Sequence, residues 1–131
     1  MSFALSTTVA LDFDQTVAAL REALAAQGFG ILTEVDLSGT LKTKLDVDVP
    51  HELLLGACNP AYAYRALQAD ERVGLLLPCS LTVRAGADGR TLVDALDPVL
   101  MVQLTGSPGL TEVAVEVRSA LRAALDAVES R

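Results

Sequence analysis

His51-Glu52-Leu53-Leu54-Leu55-Gly56-Ala57-Cys58-Asn59-Pro60 hands one kind of backbone directly to another. His51 to Cys58 reads as a strand, and its continuous Leu53-Leu54-Leu55 centre suits cover on both faces. Asn59 offers a side-chain acceptor to the orphan amides of a helix start, and Pro60 suits the first helical position. The helix is predicted to run to about Ala69, with Ala63, Ala66 and Leu67 turned inward.

The same exchange of strand for helix recurs on both sides. Phe3 to Phe13 alternates, with Phe3, Leu5, Val9, Leu11 and Phe13 on one face and Ser2, Ser6, Thr8 and Asp12 on the other. Asp14 is expected to cap the next helix, with Phe13 packed back on Ala18 and an apolar stripe of Val17, Leu20 and Leu24. Gly28 is its natural stop. Phe29 to Val35 reads as a second strand. Leu37, Leu41 and Leu45, spaced four apart, permit a short helix that carries Lys42 and Lys44 outward and is weakened by Gly39.

Downstream, Leu75–Ala85 and Thr91–Leu96 read as strands joined by the hairpin loop Gly86-Ala87-Asp88-Gly89. Gly109 or its neighbours open the last helix, whose stripe is Leu110, Ala114, Val117, Leu121, Leu125 and Val128. The order is β-α-β-(α)-β-α-β-β-α. It predicts one compact α+β domain over 1–131, with a mostly antiparallel sheet of about five strands and helices packed on one face.

Composition agrees with a single globular unit. A chain of 131 residues buries about two-thirds of its unfolded surface. Hydrophobic residues at 51 % with charged residues at 21 % are not the balance of a disordered chain. With no Trp and aromatics at 4 %, the core is expected to be aliphatic, anchored by Phe3, Phe13 and Phe29. A net charge of −7 with scattered basic residues argues against nucleic acid as a partner. No apolar run reaches membrane-spanning length, so no membrane association is expected. No basic start followed by an apolar block is present, so a cytoplasmic location with two free thiols is expected.

The chemistry-bearing residues are few. The sole histidine, His51, lacks the context of a Ser-His-Asp arrangement, and no phosphate-binding glycine loop is present. His51 also stands seven residues before Cys58, an odd offset that sends the two to opposite strand faces and disfavours zinc. Copper through the two thiolates is no better supported, so no metal and no cofactor are expected. Cys58 precedes a capped helix N-terminus, which favours a thiolate; a small buried hydrophobe closing a strand is the simpler explanation. Cys79 follows Pro78 and alternates with Leu75, Leu77, Leu81 and Val83, which places it on the apolar face. Lys44 could receive an anionic ligand, and Asp36 with Glu34 could contribute to a cleft. Solvated faces also account for them.

These residues carry a resemblance. Gly28-Phe29, Glu34-Val35-Asp36, Leu41-Lys42-Thr43-Lys44, Cys58-Asn59-Pro60, Gly74-Leu75-Leu76-Leu77-Pro78-Cys79 and the Asp97-Pro98 to Met101 turn together resemble the bacterial family called domain of unknown function 302. The likeness spans about Phe3 to Met101, and Ser80 stands where the family often places Asn. The resemblance implies a compact α+β fold and a homodimer, and it implies no reaction.

The leading expectation is a small homodimeric binding module that takes a small ligand or protein partner near Cys58-Asn59-Pro60. Its candidate binding residues are Cys58, Asn59, Pro60, Cys79, Lys44 and Asp36, with no catalytic residue assigned. A thiol-dependent redox or soft-metal-binding protein using Cys58 and Cys79 is the alternative. An enzyme of unknown reaction, with Asp36, Lys44 or Asn59 in its pocket, is the second alternative.

Overall fold

Alternation and capping resolve into five strands and five helices in the computed structural model, which describes residues 2–131. The strands are β1 (Ala4–Val9), β2 (Gly30–Asp36), β3 (Glu52–Cys58), β4 (Cys79–Ala85) and β5 (Thr91–Leu96). The helices are α1 (Phe13–Ala26), α2 (Leu37–Leu45), α3 (Pro60–Ala69), α4 (Leu100–Thr105) and α5 (Thr111–Glu129). One antiparallel sheet runs β1-β5-β4-β3-β2, which leaves β1 and β2 as its edges. The α+β class and the single antiparallel sheet agree with the sequence.

Register decides which side chains share the covered face. Leu5, Thr7 and Val9 of β1 stand across from Ala95, Val93 and Thr91 of β5. Leu81 and Val83 of β4 continue the row to Leu55 and Leu53 of β3, and all of these are buried. Helices α1 and α5 lie on this face and on each other. Helix α5 contributes Val113, Ala114, Val117, Ala120, Leu121, Ala124, Leu125 and Val128, the predicted stripe thickened by alanines. Each leucine removed from water here stabilises the fold by about 1.5–3 kcal/mol. The other face of β3 is less covered: Leu54 is half-buried, so the expectation of two covered faces holds only in part.

Several boundaries differ from the sequence expectation. The first strand stops at Val9, because Asp12 rather than Asp14 caps α1, its carboxylate accepting from the Gln15 amide at 2.8 Å. Asp12-Phe13-Asp14-Gln15 is half of a reciprocal capping arrangement, and Asp14 lies in the first turn. Phe13 therefore begins the helix and stacks on His51, with ring centroids 3.8 Å apart. Phe3 is 66 % exposed, so of the three expected aromatic anchors only Phe29 is fully in the core. Leu67 also faces outward, while Ala66 is buried. Helix α2 forms as predicted, but Leu37 and Leu41 are half-buried and Leu45 is exposed.

The segment before β4 differs more. Leu75 and Leu76 end a 3-10 turn, Glu71–Leu76, that Asp70 caps by accepting from the Arg72 amide. Proline at 78 has no N–H for a ladder, so the strand begins at Cys79 and Leu75 lies in solvent. Helix α4 was not expected. Pro98 precedes it, and Gly106 at φ 68° stops it after six residues, too few to show a helical period. The last helix starts at Thr111 after a 3-10 turn, Pro108–Leu110.

Two glycines mark close approaches. Gly28 ends α1 at φ 83°, and a Cβ built on it would stand 2.8 Å from the Asn59 amide nitrogen. Gly56, buried within β3, lies under the Thr33 hydroxyl and the Pro78 ring; a Cβ there would meet Pro78 Cγ at 2.6 Å. Gly30 has open space around it and no positive φ. Gly28→Ala should therefore lower stability by about 2 kcal/mol in urea unfolding, and Gly30→Ala by less than about 0.5 kcal/mol. Equal midpoints for the two variants would contradict this account of Gly28.

Candidate functional site

Strand β3 delivers Cys58 and Asn59 to the start of α3, and Asn59 engages both ends of its amide there. Its Oδ1 accepts from the backbone amides of Ala61 (3.1 Å) and Tyr62 (3.4 Å). Its Nδ2 donates to the Gln27 carbonyl at 3.2 Å. One side chain thus caps α3 and ties it to the end of α1, which explains why Gly28 must lack a side chain. Pro60 is the first residue of α3.

Beside this turn the sheet opens. Strand β4 starts at Cys79, but its pairing with β5 begins only at Leu81–Ala95. Cys79 and Ser80 therefore part from Leu96 and Asp97, and a slot occupies the gap. Phe29, Ala57 and the α3 residues Tyr62, Ala63 and Ala66 form its inner wall. Leu100, Met101 and Leu104 of α4 form the outer one. The slot is partly open to solvent and holds about 40 Å³, room for roughly three water molecules.

The slot is apolar, and its charged group is already neutralised. Asp97 accepts from the Val99 amide at 3.0 Å and from Arg118 Nε at 3.2 Å. Cys79 lies on the face shared with Leu81 and Val83, as expected. Burial, with a smaller contribution from nearby Cys58, pushes its thiol up to about 11 from an ordinary value of 9.0. The thiol of Cys79 is therefore protonated at neutral pH, which makes it a poor nucleophile there.

Asp36 and Lys44 lie elsewhere. Asp36 pairs with Leu53 and Cys58 with Gly30, at opposite ends of the β2–β3 hairpin. Five residue steps along β3 separate the two positions, roughly 16 Å at the rise of a strand. Asp36 caps α2, accepting from Gly39 N and the Ser38 hydroxyl, and these bonds with the nearby His51 hold its carboxyl below the usual range. With Lys44, Thr40 and Thr43 it borders a shallow open groove. Lys42 makes ion pairs with Asp46 (3.0 Å) and Asp48 (3.3 Å).

The six candidate residues are therefore not one cluster. Cys58, Asn59 and Cys79 line the slot, Pro60 adjoins it, and Asp36 and Lys44 border a separate groove. Sequence reasoning missed the contribution of α4. The signal was present in Pro98 and Gly106, which bracket an apolar segment.

A raised thiol has two measurable consequences. In a Cys58→Ser variant, alkylation of Cys79 should accelerate about tenfold per pH unit well past pH 9, with no plateau below it. A plateau near pH 8 would contradict the buried thiol. The folded state also holds this proton more tightly than the unfolded chain. Its contribution to stability is thus complete below pH 9 and is lost as pH rises toward 11.

The comparisons place this geometry in a family. Residues 5–128 match the model described as "Domain of unknown function DUF302". The crystal structure of an uncharacterized conserved DUF302 protein from Bacillus stearothermophilus superposes with a TM-score of 0.92 at 30 % identity, covering 98 % of this chain and 99 % of that one. None of the curated proteins matches. A family model matched over most of the chain and a full-length structural relative agree with the motifs around Asn59 and Cys79: the chain belongs to the DUF302 family.

Proposed function

We propose that the chain is a homodimeric binding module that holds a small ligand in the slot beside Cys58-Asn59-Pro60. The slot itself supports this reading: it is a largely apolar concavity between α3, α4, α5 and the parted ends of β4 and β5. Such a concavity with few polar groups is the usual form of a small-molecule site. The groove at Asp36 and Lys44 is open and offers little enclosure.

The dimer rests on a different observation. Edge strand β2 is exposed along most of its length, with Leu32 at 66 % and Val35 at 45 % exposure. No lysine or proline guards it; its charged residues are Glu34 and Asp36, and a single irregularity lies between Ile31 and Thr33. A second copy adding its own β2 would satisfy the free backbone groups and cover both side chains.

The site is tested by following the Met101 and Ala63 methyl signals of the protein while a panel of small neutral and charged molecules is added. At least one should shift these signals saturably, and alkylation of Cys58 should weaken it. A panel without effect on Met101 would remove the slot from consideration. The dimer is tested by sedimentation at tens of micromolar, where the protein should be dimeric and Leu32→Lys or Val35→Lys monomeric. A dimer undisturbed by both changes would move the interface away from β2.

A further inference from the structure

We infer that the occupant of the slot is an uncharged, mainly hydrocarbon group of about four carbons, carrying at most one hydroxyl or carbonyl. This rests on the slot being the binding site and adds the chemistry it selects. A partly open space of about 40 Å³ admits roughly the volume of three waters, which a butyl group or a small ring also occupies.

The lining decides the charge. A bound carboxylate would need a free cation or an open amide cluster. Arg118 is engaged by Asp97, and the α3 amides of Ala61 and Tyr62 are taken by Asn59. A bound ammonium would need a free carboxylate, but Asp97 already has two donors. The amide of Asn59 is engaged at both ends. An ion entering the slot would lose its hydration without a partner, a loss of several kcal/mol in an apolar site. The overall charge of −7 further opposes an anion.

One polar handle is left. Of the lining residues with a hydroxyl, Ser80 is exposed and alternates with Cys79 on the opposite side of β4, whereas half-buried Tyr62 makes no hydrogen bond through its hydroxyl among the described residues. The Tyr62 hydroxyl can donate to or accept from a single uncharged oxygen. The rest of the contact is hydrocarbon from Phe29, Ala63, Ala66, Leu100 and Met101.

The occupant is either a free small molecule or the end of a longer chain, and the outer wall separates the two. Helix α4 has no fully buried residue and no side-chain cap, and Leu104 is 68 % exposed. Displacing that wall would lengthen the slot.

The test compares n-butanol, butyrate and butylammonium, near in size and different in charge, by titration of the Met101 methyl signal, with n-octanol as a fourth arm. Butanol should bind at least about thirtyfold more tightly than either ion, and benzene should compete with it. Tyr62→Phe should weaken butanol about fivefold without affecting benzene. Ala63→Leu should fill the slot and abolish both. Octanol binding more tightly than butanol, with α4 signals shifted, identifies the end of a longer chain; octanol excluded identifies a free small molecule. Butyrate or butylammonium binding as well as butanol overturns the uncharged class and leaves the slot intact. No probe moving Met101 overturns the slot and the class together.

Discussion

The amide of Asn59 is the constraint from which the site follows. Its oxygen caps α3 and its nitrogen holds the last carbonyl region of α1, so two helices distant in sequence are fixed by one side chain. An aspartate could supply the cap but not the donor to Gln27, and a serine could not span the gap to both. With that bond in place, α3 leans over the end of β3. Phe29, directly after the α1 stop, is then held in the core 6.4 Å from the Tyr62 ring. Arg65 and Glu116 join α3 to α5 at 2.5 Å on the outside. The inner wall of the slot is thus a consequence of how the helices are joined.

How much of this was legible in the sequence depends on the range of the signals. Helix α5, the β4–β5 hairpin and the Asn59-Pro60 start rest on local patterns, and each stands in the structure where its residues put it. Phe3 to Phe13 misled because its alternation continued past the point where Asp12 takes the Gln15 amide; a cap outweighs a side-chain period. Leu75 to Pro78 misled in the same way, since Asp70 caps a turn there and proline has no N–H to give. The slot itself was not legible. Its walls come from β3, β4, α3, α4 and α5, and no local pattern shows that the first two residues of β4 pair with β3 but not with β5.

The thiols change meaning in that setting. From the sequence, Cys58 drew interest for its place before a helix and Cys79 for its apolar neighbours. In the fold they are neighbours at one end of the sheet, and burial holds Cys79 in its neutral form. A neutral thiol packs as a small, polarisable, hydrophobic group, which suits a wall that admits hydrocarbon. The Asp36 cap at the far end of the hairpin serves α2 instead, and its hydrogen bonds are those of a helix start.

Gly56 carries a consequence for how such a chain can vary. The Thr33 hydroxyl and the Pro78 ring close over its α-carbon from the edge strand and from the segment entering β4. No side chain fits at 56 while both neighbours keep their places, so the three positions form one unit of inheritance. Single changes at 56 should be purged, whereas joint replacement at 33, 56 and 78 opens a route that no stepwise path through position 56 first can take. Strong epistasis is thereby built into the sheet beside the slot.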